Sequence, residues 1–325
     1  ASHTGSSYGG TFGTSIPTAR LGLLFDLTKS EKGLKIEEVI ANGPFDVAKS
    51  NVKAGHYLIK IDGKEILENT DFFAMLNGKV GAETTFTFKD GNKEYTERIK
   101  PISSENALLY DRWVQAQRDR VEKLSNGRLG YAHIQSMADE SYRSTYSEIL
   151  GRYNDKEGVV IDVRFNGGGR LHEDVEALLS GTKYLEQVPR GQKINDQPTK
   201  RWLKPSVMVQ GEASYSNAHG TPWVYREMGI GKLVGMPVPG TMTTVWWENL
   251  PETGLRYGIP VAGYIDRRGN FLENLQLEPD VKVRNETNEL WKNRDQQIEE
   301  AVKILLQEVD AFVDPWKVFD YNKKK

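Results

Sequence analysis

The run Gly211-Glu212-Ala213-Ser214-Tyr215-Ser216-Asn217-Ala218-His219-Gly220 follows the apolar stretch Val207-Met208-Val209 and precedes a helical stretch with Trp223 and Tyr225. A serine at a strand-to-helix turn sits exposed at a sheet edge, where the first amides of the helix can stabilise negative charge. A second run, Asp162-Val163-Arg164-Phe165-Asn166-Gly167-Gly168-Gly169-Arg170, also follows an apolar strand. Its three glycines let backbone N–H groups approach a reacting oxygen with no side chain in the way. Together the two runs point to acyl transfer through a serine. The chain has no cysteine, which removes a thiolate nucleophile, thiolate zinc sites and disulfides together. No metal-binding spacing is present, so neither a metal nor another cofactor is expected. The glycine run lacks both the Gly-x-Gly-x-x-Gly spacing and a Walker Lys-Ser/Thr ending, which sets nucleotide binding aside. His219 is a nearby base by number, yet three residues along a starting helix its ring is expected to point elsewhere. His133 on an apolar strand and His172 at a helix start are expected to be structural.

These residues need a scaffold, and 325 residues are enough for two domains with separate cores. Lys plus Arg number 43 against 45 Asp plus Glu, so no polyanion is indicated and nucleic acid is not an expected partner. With mean hydropathy at −0.57 and no long apolar run, no membrane insertion is expected. The opening Ala1-Ser2-His3-Thr4-Gly5 has neither an initiator Met nor a signal pattern and reads as a cut inside a longer protein. Localisation stays open between an extracytoplasmic, periplasmic setting and the cytoplasm.

Residues 1–18 are rich in Gly, Ser and Thr and are expected to be a linker or the end of a truncated cap domain. Short apolar or alternating runs at 21–25, 34–40, 57–61 and 85–88, with turns at Asp62-Gly63 and Asp90-Gly91, predict a small, mostly β domain over 19–103. A short helix is predicted over 45–50. Spacing predicts a helix over 106–124 ended by Asn126-Gly127. Beyond it, strands at 128–134, 158–163 and 206–209 alternate with helices near 138–153, 172–180 and 217–228. That alternation predicts a layered α/β domain over 104–313. Ile298, Ala301, Val302, Leu305 and Leu306 form one apolar stripe on a closing helix, and 314–325 reads as a tail.

Arg20-Leu21-Gly22-Leu23-Leu24-Phe25, Gly43-Pro44-Phe45, Ala54-Gly55 and Leu58-Ile59-Lys60-Ile61-Asp62-Gly63 resemble a PDZ domain over about 85 residues. The resemblance implies that the loop Leu21, Gly22, Leu23, Leu24 and Phe25 captures an extended peptide and its C-terminal carboxylate by β-augmentation. His56, where such modules usually have Asp, is expected to be structural. The alternative is a β domain that only packs against its neighbour.

Over nearly its whole length the chain resembles the tricorn-like serine peptidases, relatives of the C-terminal processing peptidases. The matching stretches are Gly130-Tyr131-Ala132-His133-Ile134, Asp162 to Gly169, Ser214-Tyr215-Ser216-Asn217, Gly235-Met236-Pro237-Val238-Pro239-Gly240-Thr241, and Leu272-Glu273-Asn274 before Pro279-Asp280. The resemblance implies a crotonase/ClpP-like layered α/β catalytic domain after the PDZ-like one. It also implies Ser216 as nucleophile, His3 as general base, Glu273 as the orienting carboxylate and Ser2 as the link between them. The oxyanion donors it implies are the N–H of Asn217 and of Gly167 or Gly168. The processing relatives use a lysine about 25 residues beyond the serine, but that position here is Thr241, which favours the histidine version. Expected partners are a peptide or unfolded polypeptide substrate and further copies of the chain in a homo-oligomer. Two other readings stand beside the peptidase: a peptide-binding protein with an idle second domain, and a crotonase-like enzyme acting on acyl-CoA. Trp202, Trp223, Trp246 and Trp247 are expected in a core or interface.

Overall fold

Phe86 and Phe88 are fully buried, while Thr85, Thr87 and Lys89 beside them are partly exposed, the period-two pattern of a strand with one face on a core. The computed structural model describes residues 2–9, 16–27, 33–251 and 254–314. Contacts divide the chain into two units: Thr11–Ala116, and Ala1–Gly10 with Gln117–Lys325.

Strand β1 (Gly5–Tyr8) belongs to the second unit. The first unit holds β2 (Leu23–Asp26), β3 (Leu34–Val39), β4 (Tyr57–Ile61), β5 (Lys64–Glu65), the one-turn helix α1 (Phe72–Met75), β6 (Thr84–Asp90) and β7 (Lys93–Ile99). The sheet runs β2-β3-β4-β6-β7 with β5 on β4, and its pairings are antiparallel. Phe45 meets Phe86 and Phe88 edge-on, with ring centroids 5.6 and 5.2 Å away, in the middle of the core. The helix predicted over 45–50 is instead two successive turns, closed by Asp46 N–H to the Gly43 carbonyl and Ser50 N–H to that of Val47. The Asp46 carboxylate accepts Asn42 N–H before the turns and Ser50 Oγ accepts Val52 N–H after them. His56 bonds the Tyr95 hydroxyl through Nδ1 at 2.7 Å.

Helix α2 (Asn106–Leu124) carries the chain from one unit into the other and ends at Asn126 and Gly127, both with positive φ. In the second unit come β8 (Leu129–His133), α3 (Asp139–Ser147), which runs into a π-helical turn, β9 (Gly158–Asp162) and α4 (His172–Leu179). A small hairpin follows, β10 (Leu185–Gln187) and β11 (Asn195–Gln197), then β12 (Ser206–Gln210), α5 (Asn217–Glu227) and β13 (Lys232–Gly235). The unit closes with β14 (Thr243–Asn249), β15 (Leu255–Gly263), β16 (Val281–Lys282), α6 (Thr287–Trp291) and α7 (Gln296–Ala311). The main sheet is parallel, in the order β16-β13-β12-β9-β8.

Strands β8, β9 and β12 are buried along their whole length, as parallel strands covered on both faces must be. Val159 and Ile161 cluster with Val175 and Leu178 of α4 and with Ala218 and Tyr225 of α5. Gly158, of opposite parity, faces α7: a Cβ there would lie 3.0 Å from Val309 and 3.2 Å from Leu305. The predicted stripe of α7 is buried at Ile298, Ala301, Val302 and Leu305.

A second sheet runs β1-β15-β14, so residues 5–8 of the segment expected to be a linker or the end of a truncated cap domain form a strand. Gly5 to Tyr8 pair antiparallel with Leu255 to Gly258. All four side chains of β1 are exposed, so no apolar alternation marks the strand, and its main chain pairs with β15. Residues 10–15 and 315–325 of the expected linker and tail lie outside the described residues, while Thr18 and Arg20 pair within the first unit with Asn77 and Ile102. Of the tryptophans expected in a core or interface, Trp202 is buried, while Trp246 and Trp247 stand 61% and 41% exposed on β14.

Candidate active site

Ser216 occupies the turn from β12 into α5 with φ 57° and ψ −122°, a left-handed conformation that costs a non-glycine residue about 1–3 kcal/mol and clusters at functional sites. Bonds on both sides impose it. Tyr215 N–H donates to the Asn166 carbonyl at 2.9 Å, Ser214 Oγ donates to the Val163 carbonyl, and Ser216 N–H donates to Thr241 Oγ1 at 2.9 Å.

On the other side of Tyr215 lies a relay built from three of the expected residues. Glu273 Oε1 accepts Ser2 N–H at 2.5 Å, and Oε2 accepts Ser2 Oγ at 3.1 Å and Thr243 Oγ1 at 2.6 Å. Ser2 Oγ also lies 2.9 Å from His3 Nδ1. A hydroxyl has one proton; with it donated to the carboxylate, Nδ1–H must donate to Ser2 Oγ, which assigns the tautomer and leaves a lone pair on Nε2. Nε2 is buried and has no hydrogen-bond partner among the described residues. The His3 ring stacks on Tyr215, the residue before Ser216, at 4.7 Å, and the Tyr215 hydroxyl donates to the Ser2 carbonyl at 2.6 Å. Burial lowers the His3 pKa below its ordinary 6.5, with Glu273 opposing, so the imidazole is neutral near pH 7. Burial pushes Glu273 up, but the bonds from Thr243 and Ser2 outweigh it and hold the carboxyl below its usual range.

His219 takes no part in the relay. It is fully buried, its Nδ1 accepts Thr241 N–H at 3.3 Å, and burial lowers its pKa to about 4. His133 bonds the Arg164 carbonyl. His172 stands closer to the chemistry than the sequence implied, because its Nδ1 accepts from the Asn217 side-chain amide at 2.8 Å. Asn217 Oδ1 takes the N–H groups of Leu171 and His172, tying the nucleophile turn to the glycine loop.

In that loop a Cβ on Gly168 would stand 2.6 Å from Ser216 Cβ and 3.0 Å from Asn217 N. Gly168 N–H donates to Asn166 Oδ1 at 2.8 Å. The base of the loop is rigid. Arg164, almost wholly buried, binds Asp162 and Asp295 at 2.7 and 3.0 Å and Gln297 at 2.8 Å. Sequence reasoning did not single out Tyr215, Thr243, Asn166 or Asn217 Oδ1, since each acts through bonds to residues distant in the chain.

In the first unit, the loop expected to receive a peptide carboxylate already holds one. Glu105 Oε1 accepts Gly22 N–H at 2.8 Å and Leu21 N–H at 3.2 Å.

A strained serine at a helix head, a glycine loop against it and a histidine–carboxylate relay are the parts of a serine peptidase site. Residues 128–283 match the model of peptidase family S41, and the chain is similar to the tricorn-like serine peptidases. The chain is 28% identical over 305 residues to tricorn protease homolog 1 of Streptomyces coelicolor, a match covering 89% of this chain and 28% of that protein. It is 25% identical over 258 residues to the tricorn protease of Thermoplasma acidophilum, over 78% of this chain and 24% of that one. A crystal structure of the tricorn protease shares the fold with a TM-score of 0.85 at 22% identity, over 95% of this chain and 31% of the other. The chain thus spans about a quarter of the length of these two curated relatives.

Proposed function

We propose that this chain hydrolyses peptide bonds of peptides or unfolded polypeptides through an acyl-enzyme on Ser216. The observation that carries the proposal is the Glu273–Ser2–His3 relay, which fixes the His3 tautomer with its Nε2 lone pair free. Ser216 Oγ attacks the scissile carbonyl as His3 Nε2 takes its proton. The imidazolium that forms is stabilised through Ser2 by the Glu273 carboxylate. The N–H groups of Asn217 and Gly167 receive the oxyanion. As the intermediate collapses, His3 passes the proton to the leaving amine and the new N-terminus departs. Water, deprotonated by His3, then attacks the acyl-serine, and breaking the ester bond frees the acid and returns the proton to Ser216.

The test is hydrolysis of a fluorogenic peptide library by the chain and by Ser216→Ala. Turnover lost in the variant while the fold, read by circular dichroism, is unchanged is the expected result. Equal turnover by both proteins, or none by either, overturns the proposal.

A further inference from the structure

The Glu105 carboxylate is held in place from both sides. Its own carbonyl accepts Leu109 N–H and so opens α2. Three residues earlier, Ile102 exchanges both main-chain bonds with Arg20, at 2.8 and 3.0 Å, just before the loop. The loop is shaped to receive an anion: Gly22 has φ 68°, which turns successive N–H groups toward one point. A Cβ at Gly22 would sit 2.9 Å from Pro44 Cδ, so the turn depends on glycine. Leu21 and Gly22 lead directly into β2, which already includes Leu23, Leu24 and Phe25 and stands at one end of its sheet, with one row of main-chain groups facing away from β3. Beyond β2 is a cavity of about 220 Å³ bordered by Leu27, Leu34, Ile66, Leu67, Phe72 and Phe73.

Taking Leu21 to Phe25 as the peptide-binding loop, as the resemblance to PDZ domains implies, we propose that the first unit recognises internal extended segments of polypeptide and not free C termini. Glu105 supplies from within the chain the carboxylate that a C-terminal ligand would bring. An incoming C-terminus meets two donors already engaged and a like charge beside them. As a tethered competitor, Glu105 acts at a high effective concentration. An internal segment needs neither donor: it adds to the β2 edge by main-chain bonds and places one apolar side chain in the cavity. Glu105 is therefore a specificity residue, selecting loops and chain interiors over chain ends.

The test uses the full chain carrying Ser216→Ala, so that no ligand is cleaved and the outcome does not depend on the peptidase chemistry. Hydrolysis by the Ser216 protein reports on that chemistry separately. Short fluorescent peptides rich in apolar residues are each made twice, with a free C-terminal carboxylate and with a C-terminal amide, and binding is read by fluorescence polarisation. With Glu105 present, the acid and amide forms of a binding peptide are expected to show the same affinity. Glu105→Ala is expected to tighten the acid form at least about tenfold and leave the amide form unchanged. Glu105→Gln, isosteric and uncharged, is expected to move the acid-to-amide ratio in the same direction, and it decides the matter if the alanine variant fails to fold. A preference of the starting protein for the acid form, a ratio that neither variant moves, or no binding by either form in any of the proteins overturns the proposal.

Discussion

Thr241 Oγ1 accepts the backbone N–H of Ser216 at 2.9 Å across 25 residues of sequence. Thr241 thus stands where the processing relatives are expected to carry their catalytic lysine, and here it holds the nucleophile's main chain. Its own main-chain N–H donates to His219 Nδ1, so the residue, by side chain and main chain together, bridges the serine turn to His219 in α5. Removing the acceptor releases a residue held in an unfavourable conformation. Thr241→Val, which keeps the shape, should lower kcat about tenfold with KM little changed, and Thr241→Ser should restore most of it. Steady-state kinetics on one fluorogenic peptide checks both. A valine variant with wild-type kcat would assign the bond no part in placing Ser216.

The pH profile should follow His3. The base works only when neutral, and burial lowers its pKa below 6.5. Activity is therefore present above the lowered value and lost as pH falls through it. The acid limb of kcat/KM should have its midpoint below the ordinary histidine value. Glu273→Gln removes the opposing charge, so the limb should move further toward acid as activity drops. A midpoint above 6.5 in the unmodified protein would contradict this account of the relay.

Strand β1 anchors the base, and its N–H groups alternate between β15 and solvent because β1 lies at the sheet edge. Ser6→Pro and Ser7→Pro should therefore differ. The proline that removes a ladder bond should cost most of the turnover, while the one replacing an outward N–H should be far milder. Neither should shift the main unfolding transition, because β1 buries no side chain. Matched assays and melts of the two variants decide it.

Arg164 supports the glycine loop from a buried ion network. Burial pushes Asp295 up, but Arg164 outweighs it and lowers the carboxyl below 3.8. That contribution to stability is present above the unfolded value and is lost as pH falls through the lowered one. Arg164→Met leaves two carboxylates buried without their cation, which should cost about 3–5 kcal/mol. Urea unfolding measures the loss. The stability of the variant should also fall as pH rises from mildly acidic to neutral, because its buried carboxylates then favour the protonated form in the folded chain.

The parallel sheet was legible because β9 and β12 are unbroken apolar runs of strand length, and α7 because its stripe has helical spacing. The nucleophile turn was legible as two short runs, each following such a strand. The support for the site was not. Gly5-Ser6-Ser7-Tyr8 has the composition of a linker and becomes a strand only because Leu255 to Gly258 offer a free edge. No local pattern ties residue 3 to residue 273, and only the likeness to a family drew attention to His3. At 45–50 local composition favoured a helix, but the chain forms two successive turns there and Phe45 packs in the core. The sequence could not separate Gly168 from Gly167 for the oxyanion, and the bond that occupies the Gly168 N–H goes to Asn166, two residues away.

Because the base precedes the strand that pairs with β15, the chain carries a clock. Ser2 and His3 leave the ribosome well before their partners: β1 has no edge to join until residues 255–258 have been made, and the relay has no carboxylate until Glu273 follows. A nascent chain that already displays Ser216 therefore still lacks the Glu273–Ser2–His3 relay, and on the proposed mechanism proteolytic competence waits until Glu273 has been made.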